Sequence, residues 1–570
     1  MKATKRILAI LMCVFLMFTT LSVTVSAEAT GSITIQNSST SNAGVGGKTL
    51  NLFKIFDAAT DGTNISYQWN MDATDADGNS IYYGFFFGPE GKVEANKENG
   101  SIHDVVAYLT DLNNDSFAYS QMAADLHDYI HTNSIAPTQT SGEINASATS
   151  YTFSGLELGY YMIYDATDLS GDDVAAVRSA AMLTTSGDNV VITLKADRPK
   201  VEKTVDDNDD PAVDDWKKGT TSAIGDVVTF KITSAVPNHD HYGDDYHFVI
   251  YDSMADGLQL DEDSITVTIG GNAVTDGITI NTDNATLAEG DDFSVSFNNI
   301  PAYTNGTSIE ITYIAKVLES ASPQNLNTAT LEYSNDPLEA TSRGTTESSA
   351  SVYTYQTVLT KHAESINGDP SQLRLAGAQF ELYKVIDGNE VLMQFRKETD
   401  SSIRGIAPFI KYIYAPEADL SEDTVTTVLD TVNTGESESL LSMSDGGHLG
   451  EIKIIGLSEG DYVLKEVKAP DGYQVAKDPF TFTIADTIGT LGNVGNATIT
   501  TSSAQTTGGQ FTNVAADAST LRLWLGVTNR PGAALPETGG MGTTFITIMG
   551  IILVAGALTF FIVRKRSKVK

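Results

Sequence analysis

The stretch "YVLKEVKAPDGY", from Tyr462 to Tyr473, decides the fold of the segment that contains it. Successive side chains of a β-strand point to opposite faces, so Tyr462, Leu464 and Glu466 share one face. Two of these three side chains are large and mainly apolar, which predicts that this face points into a core. The stretch therefore predicts a β-strand that carries the Glu466 carboxyl group inward, together with the apolar residues.

The same alternation recurs on both sides of this stretch. Short runs with a period of two are separated by clusters of Gly, Asn, Asp and Ser, which is typical of β-sandwiches. Examples are "SITIQN", "NVVITLKA", "DVVTFKIT", "SITVTIGG", "SIEITYIAKV" and "EIKIIGL". One helical stretch is predicted over residues 101–133. We expect an all-β chain of tandem Ig-like sandwich domains with a helical insertion in the first.

Two linker-like segments divide the chain, which at 570 residues is too long for one core. One is "ADRPKVEKTVDDNDDPAVDD", with prolines and an acidic cluster, and the other is "EATSRGTTESSASVYTY", rich in Ser, Thr and Glu. They predict domains at 28–198, 199–355 and 356–533. "SGLELGYYMIYDA" in the first domain is similar to "IGLSEGDYVLKEVKAPDGY" in the third, so we expect these two domains to be variants of one sandwich.

Both ends of the chain carry targeting signals. Residues 1–27 combine a basic start, a short apolar core and small residues before a cut, the pattern of a secretory signal peptide. Residues 534–570 combine a polar pentapeptide, an uncharged run from Thr543 to Val563 that is long enough to span a bilayer, and a basic tail. We therefore expect an exported protein whose C-terminus is held in the membrane.

Composition excludes one class of partner and one kind of reinforcement. Lys and Arg number 35 against 73 Asp and Glu, a net charge of −38, which argues against nucleic-acid binding. The only cysteine, Cys13, lies in the predicted signal peptide, so the exported chain would form no disulfide. Covalent reinforcement, if present, must come from other chemistry.

Three polar residues of the third domain are predicted to face its core from different strands. Lys361 alternates with Leu359 in "TVLTKHAE", and Asn529 alternates with Val527 in "LRLWLGVTNRP", while Glu466 faces inward as described above. Burial lowers the pKa of a lysine and raises that of a carboxyl group, so the amine becomes a nucleophile and the acid can shuttle protons. Attack on the asparagine would expel ammonia and leave a Lys–Asn isopeptide bond. An ordinary Lys–Glu ion pair is the alternative.

The second domain repeats this pattern. Lys203 alternates with Val201 and Val205, and Asp252 alternates with Ile250. One strand face in "NTATLEYSNDP" holds both Asn327 and Asn335. In the first domain Asp165 occupies the place of Glu466, but no matching lysine and asparagine are recognisable, so we predict no bond there.

These motifs resemble two known signals of Gram-positive surface proteins. Leu535, Pro536, Glu537, Thr538 and Gly539 match the L-P-x-T-G motif that sortases cut, followed in the right order by the apolar run and the basic tail. The stretch "YVLKEVKAPDGY" resembles the Y-x-L-x-E-T-x-A-P-x-G-Y motif of Cna-B-like pilin domains, with Val467 in place of Thr. The run "LAGAQFELYK" also resembles sequences of that family. The chain thus resembles a sortase-assembled major pilin with Cna-B-like sandwich domains.

The resemblance implies roles for the polar residues. It implies an isopeptide bond Lys361–Asn529, with Glu466 as catalyst. The second domain resembles that of backbone pilins in its starting lysine, its aspartate in D-x-x-x-x-G-L and its terminal Y-S-N, which implies a bond Lys203–Asn335 with Asp252 as catalyst. Asn327 shares the strand face of Asn335 and is the fallback partner. Sortase would form an acyl-enzyme at Thr538 and release Gly539.

A lysine of the next subunit would then accept the acyl group. Lys195 keeps the spacing of the family's V-x-V-x-x-K pattern and Lys200 keeps its Pro-Lys pair, with Lys195 narrowly preferred; the Tyr-Pro pair of the pattern is absent.

The predicted function is that of a structural shaft subunit in a covalent pilus at the cell surface, anchored to the cell wall. Expected partners are a class C sortase, a housekeeping sortase, identical subunits, minor pilins and peptidoglycan. We predict no enzymatic activity beyond the autocatalytic bonds, no cofactor and no metal site; the His127–His131 pair is interpreted as a solvated helix face. The alternative is a monomeric wall-anchored adhesin that binds a host or matrix ligand.

Overall fold

A computed structural model of the chain gives the architecture. It describes residues 31–37, 44–61, 64–89, 91–93, 100–112, 116–167, 178, 182–185, 189–193, 198–206, 216–239, 241–242, 246–364, 374–400, 409–431, 449–485, 498–501, 509–517, 522–532 and 541–566. The predicted signal peptide, the sorting pentapeptide and Lys195 lie outside these residues. Strands dominate, as the alternating pattern predicts, and they form six sheets that fall into three consecutive groups.

The first group combines two sheets with three helices. Its elements are β1 (Gly31–Gln36), β2 (Thr49–Thr60), β3 (Ile65–Trp69), α1 (Ile81–Phe87), α2 (Ile102–Leu112), α3 (Ser116–Thr132), β4 (Gln139–Glu143), β5 (Ser150–Leu156), β6 (Gly159–Asp165), β7 (Met182–Thr185) and β8 (Val190–Thr193). The sheet orders are β5-β1-β8 and β3-β2-β6-β7, with β4 paired to β2. Helices α2 and α3 fall within the predicted helical stretch, whereas α1 was not predicted.

The second group is a sandwich of a six-stranded and a five-stranded sheet. Its strands are β9 (Glu202–Asp206), β10 (Gly219–Thr221), β11 (Val227–Ala235), β12 (Phe248–Met254), β13 (Leu258–Ile269), β14 (Asn272–Ala273), β15 (Ile278–Asn281), β16 (Phe293–Phe297), β17 (Ser308–Val317), β18 (Gln324–Ser334) and β19 (Arg343–Tyr353), with a 3-10 turn at Ile300–Ala302. The orders are β10-β19-β18-β12-β16-β15 and β14-β13-β17-β11-β9.

The core of the second group shows how the period of two becomes a sandwich. In β17 the residues Ile309, Ile311, Tyr313, Ala315 and Val317 are all buried, and the residues between them are more exposed. Every second side chain of β17 therefore packs into the core. A tyrosine takes one of these inward positions and brings its hydroxyl group with it.

The third group contains the remaining strands. They are β20 (Tyr355–Ala363), β21 (Gln379–Ile386), β22 (Asn389–Leu392), β23 (Phe395–Asp400), β24 (Phe409–Tyr414), β25 (Val425–Thr426), β26 (Leu429–Asp430), β27 (Glu451–Leu457), β28 (Gly460–Lys468), β29 (Phe480–Ala485), β30 (Thr498–Thr501), β31 (Gly509–Asp517) and β32 (Arg522–Asn529). The orders are β25-β23-β24-β27-β20-β32-β31 and β22-β21-β28-β29-β30, with β26 paired to β21.

The first and third groups share a pairing pattern. The first strand of each, β1 or β20, lies between an antiparallel neighbour, β5 or β27, and a parallel last strand, β8 or β32. In the facing sheets, β2 pairs with β6 as β21 pairs with β28. This correspondence agrees with the sequence similarity between the two domains.

The described part of the chain ends in helix α4 (Met541–Arg566), which contains the predicted apolar run. Its segment Thr547–Lys565 has a mean hydropathy of 2.1 and is not buried against the rest of the chain. By length and composition this segment can cross a membrane. Helix α4 begins two residues after the end of the pentapeptide.

Candidate functional site

The predicted residues of the third domain meet in its core. Lys361 Nζ donates a hydrogen bond to Asn529 Oδ1, and Asn529 Nδ2 lies 2.9 Å from each carboxylate oxygen of Glu466. The distance between Lys361 Nζ and Glu466 Oε1 is 3.4 Å, and both side chains are fully buried. An amine, an acid and a carboxamide are therefore in mutual contact, away from water.

Strand pairing explains how residues so far apart in sequence converge. Strands β20 and β32 are parallel neighbours, with Lys361 opposite Val527 and Ala363 opposite Asn529. Both reactive side chains thus lie at the same end of one sheet and face inward. Glu466 comes from β28 of the facing sheet, so the site bridges the two layers of the sandwich.

The surroundings hold these groups and adjust the charge of the lysine. Burial lowers the pKa of Lys361 to about 8, although attraction to Glu466 acts in the opposite direction. The backbone N–H of Ala476 donates to Glu466 Oε2 at 2.8 Å, and Asn529 Nδ2 also donates to the Gln474 carbonyl at 3.0 Å. The carboxylate and the amide are thus fixed on one side, while the lysine amine contacts the amide oxygen.

The second domain contains a comparable cluster, built from four strands. Lys203 Nζ donates to Asp252 Oδ2 and, at 2.5 Å, to the hydroxyl of Tyr313. The Tyr313 hydroxyl donates to Asp252 Oδ2 at 2.8 Å and accepts a hydrogen bond from Asn327 Nδ2 at 2.9 Å. All four residues are buried.

Burial favours the neutral forms of the charged pair in this cluster. It lowers the pKa of Lys203 to about 8, against the attraction of Asp252, and it raises the pKa of the Asp252 carboxyl group above its usual range. A neutral amine beside a neutral acid is the state in which a lysine can act as a nucleophile.

The structure requires one correction to the assignments in the second domain. Asn327, and not Asn335, contacts the cluster around Lys203; Asn335 instead accepts a hydrogen bond from the Ser342 hydroxyl at 2.8 Å. The two asparagines are eight positions apart, with Asn327 inside β18 and Asn335 one residue beyond its end, which corresponds to about 27 Å along a strand. A lysine side chain cannot span that distance, so the fallback partner Asn327 replaces Asn335 in the proposal below.

The first domain contains a buried ion pair that its sequence did not reveal. Lys48 Nζ lies 2.5 Å from Asp165 Oδ2, and Asp165 Oδ1 accepts a hydrogen bond from the Thr167 hydroxyl. The alternation of Lys48 with the buried Leu50 and Leu52 is the signal that could have predicted it. Strand β1, which corresponds to the strand of Lys361, contains no lysine.

The sorting motif and the acceptor candidates are described only in part. The pentapeptide 535–539 and Lys195 lie outside the described residues. Lys200 is exposed, and its backbone carbonyl accepts a hydrogen bond from Ser234 at 2.7 Å. The residue lies on the surface, two positions before β9 begins.

Family models match most of the third domain and the anchor region that follows it. Residues 367–498 match the SpaA family model, described as a prealbumin-like fold domain, and residues 530–569 match the model of the LPXTG cell wall anchor motif. The trypsin-resistant surface T6 protein of Streptococcus pyogenes serotype M6 is 23% identical over 416 residues, which cover 62% of this chain and 67% of that protein.

Solved structures of pilins resemble the fold at low identity. The T6 backbone pilin of Streptococcus pyogenes serotype M6 has a TM-score of 0.44 at 19% identity, covering 80% of this chain and 81% of that one. The major pilin SpaD of Corynebacterium diphtheriae has a TM-score of 0.42 at 16% identity, covering 88% and 98%. The predicted resemblance to LPXTG-anchored pilins is confirmed, and the chain is a secreted, wall-anchored surface protein with a SpaA-type prealbumin-like domain.

Proposed function

We propose that the chain is the shaft subunit of a covalently polymerised pilus and that Lys–Asn isopeptide bonds lock its second and third domains. One observation carries this proposal. Lys361, Glu466 and Asn529 come from three separate strands, yet they are in contact in a fully buried site just ahead of a cell wall anchor. A buried lysine amine is expensive to desolvate, and its conversion into a neutral amide removes that cost.

The chemistry in the third domain needs no cofactor. The neutral Nζ of Lys361 attacks Cγ of Asn529, and a C–N bond forms. Glu466 accepts the amine proton and passes it to Nδ2, whose bond to Cγ breaks, so that ammonia leaves. The carboxylate is suited to this transfer because it lies 3.4 Å from the nucleophile and 2.9 Å from the leaving nitrogen.

In the second domain the same reaction would join Lys203 to Asn327. Asp252 takes the part of the acid, since it contacts the lysine amine and is itself buried. The pKa of Lys203 is lowered and that of Asp252 is raised, and both directions favour the neutral reactants. We propose no bond in the first domain.

Polymerisation would use the two ends of the subunit. A class C sortase would attack the Thr538 carbonyl, release Gly539 and transfer the acyl group to Lys195 or Lys200 of the next subunit. Such head-to-tail joining does not close into a ring and so builds a filament. A housekeeping sortase would attach the finished filament to peptidoglycan, and minor pilins would be added by the same chemistry.

A denaturing gel of cell-wall extracts tests the shaft function. The shaft function predicts a ladder of high-mass species, and a variant with Thr538→Ala should abolish it. Thr543→Ala, which changes the same residue type outside the pentapeptide, is the matched control and should keep the ladder. A single band from the unchanged chain would refute the shaft function and favour the monomeric adhesin.

Single and combined Lys195→Arg and Lys200→Arg variants identify the acceptor. Arginine keeps the charge but does not act as a nucleophile at neutral pH. The variant that loses the ladder marks the lysine that is used. A ladder that survives both changes would exclude both candidates.

A further inference from the structure

We propose that Tyr313 is a catalytic residue of the second domain, whose hydroxyl relays a proton between Asp252 and the departing amide nitrogen of Asn327. This inference rests on the proposed Lys203–Asn327 bond. Its basis is the position of one phenol oxygen, which contacts the nucleophile, the acid and the leaving nitrogen at 2.5, 2.8 and 2.9 Å.

The two reactive sites differ in how the acid reaches the amide. In the third domain Glu466 accepts hydrogen bonds from the Asn529 amide directly. In the second domain the acid is an aspartate, one methylene shorter, and the Tyr313 hydroxyl lies between it and the amide of Asn327. The phenol thus supplies the reach that the shorter acid lacks.

Two oxygens of the second site have no hydrogen-bond partner in the described part of the chain. These are Oδ1 of Asp252 and Oδ1 of Asn327, and both are buried. Buried polar atoms without partners are costly. Because these two oxygens make no hydrogen bond there, the acid and the carboxamide are connected through the hydroxyl of Tyr313.

The proton movements balance without any added reagent. Lys203 Nζ attacks Cγ of Asn327 and forms the new C–N bond, and its proton passes to Asp252. The Tyr313 hydroxyl gives its proton to Nδ2 and takes one from Asp252. The Cγ–Nδ2 bond then breaks, ammonia leaves, and the acid and the phenol return to their starting states.

The environment of Tyr313 suits a relay. Burial raises the pKa of its hydroxyl well above the usual range, with Asp252 as the next cause, so the phenol stays protonated and can donate. Its ring stacks on Phe230 at a centroid distance of 5.5 Å and meets Phe293 edge-on at 4.9 Å. The aromatic neighbours hold the hydroxyl at the reacting atoms.

The test is peptide mapping of the full chain, purified in detergent, for the linked fraction at 203–327. Tyr313→Phe keeps the ring and removes only the hydroxyl, and we expect at least a ten-fold lower linked fraction at equal times, since acid–base groups typically contribute about 10²–10⁴-fold. Tyr333→Phe removes another buried phenol of the same domain and should link normally. The Lys361–Asn529 link is an internal control in every sample.

The possible outcomes distinguish a failure of the Tyr313 relay from a failure of the proposed Lys203–Asn327 bond. An unlinked Lys203 in the unchanged chain would overturn the proposed bond, whereas normal linking in Tyr313→Phe would overturn only the relay. If Tyr313→Phe fails to fold, 3,5-difluorotyrosine at this position keeps the packing and lowers the phenol pKa. A relay predicts a changed linking rate with this residue, and an unchanged rate would refute it.

Discussion

Replacement of Glu466 by glutamine should leave the third domain unlinked. Glutamine matches the size of glutamate but cannot take up the proton that the Lys361 amine must lose. Its amide would also present an NH₂ group where both carboxylate oxygens now accept hydrogen bonds from Asn529. We therefore expect the variant to keep both reactants and, after correction for the substitution, to be heavier than the linked chain by one ammonia molecule.

The size of the effect follows from the loop that the bond would close. Lys361 and Asn529 are 168 positions apart, and the chain-entropy relation for covalent cross-links gives about 5 kcal/mol of stabilisation for such a loop. A domain of this size loses roughly 2–4 °C of melting temperature per kcal/mol. The unlinked third domain should therefore melt roughly 10–20 °C below the linked one.

Intact mass and scanning calorimetry of the full chain in detergent measure both effects. The triple variant Lys361→Met, Glu466→Gln, Asn529→Leu removes both reactants and the buried carboxylate between them, so it isolates the loss of the cross-link and should melt in the same lowered range. Glu390→Gln changes a surface glutamate of the same domain, paired with Lys465 at 2.5 Å. It should keep the bond and alter stability by about 1 kcal/mol or less.

Two results would refute this reasoning. A Glu466→Gln chain with the mass of the linked form would mean that the carboxylate is not needed for the reaction. An unlinked chain that melts with the unchanged protein would mean that the cross-link does not stabilise the domain. Identical masses for the unchanged chain and the triple variant, after correction for the substitutions alone, would mean that no ammonia is lost and would exclude the bond itself.

Three further predictions concern the other buried groups. Asn327→Ala should leave the second domain unlinked whereas Asn335→Ala should not, and peptide mapping distinguishes them; linking in the first variant would restore Asn335 as the partner. In Asn529→Ala, Lys361 stays unlinked with its pKa lowered to about 8. The unfolded chain then binds more protons, so stability in urea should rise between about pH 8 and 10.5 by up to about 3 kcal/mol, and should stay flat once Lys361→Met is added. Lys48→Met should lower the stability of the first domain by about 3–5 kcal/mol, because it removes the cation that balances the buried Asp165 carboxylate; an unchanged urea midpoint would contradict this.

The sequence predicted strands well where one face is buried and the other is not. The run "SIEITYIAKV" became β17, with its alternate residues in the core. Helix α1 escaped prediction because "IYYGFFF" consists largely of aromatic residues that favour strands. Tertiary packing decides its conformation: Phe85 and Phe86 are buried against the other helices, and the Tyr129 hydroxyl donates to the Ile81 carbonyl at 2.9 Å.

Alternation also predicted which polar residues of the candidate sites face inward, but not where along the strand they lie. Asn327 and Asn335 share a face because their separation is even, so a period of two cannot choose between them. The choice depends on strand register, which sets Asn327 opposite Met254 and ends the pairing of β18 with β12 before Asn335. Tyr313 was missed because a tyrosine at an inward position reads as an ordinary core residue.

The positions of the two proposed bonds imply different responses to tension along a shaft. In the third domain Lys361 and Asn529 lie near the C-terminal ends of the parallel strands β20 and β32. Force would therefore pass from β20 through the bond to the end of β32, and the strands between them in sequence would carry little of it.

In the second domain the bond to Asn327 leaves the rest of β18 and all of β19 outside the closed loop. Strands β18 and β19 form an antiparallel hairpin in which Asn327 lies opposite Ala350. Tension would pull these two strands apart at their adjacent ends, and only hydrogen bonds and packing would resist the separation. Opening it would release roughly 80 Å of chain while the Lys203–Asn327 bond stayed intact. The shaft would then combine a third domain that cannot extend with a second domain that can yield and refold.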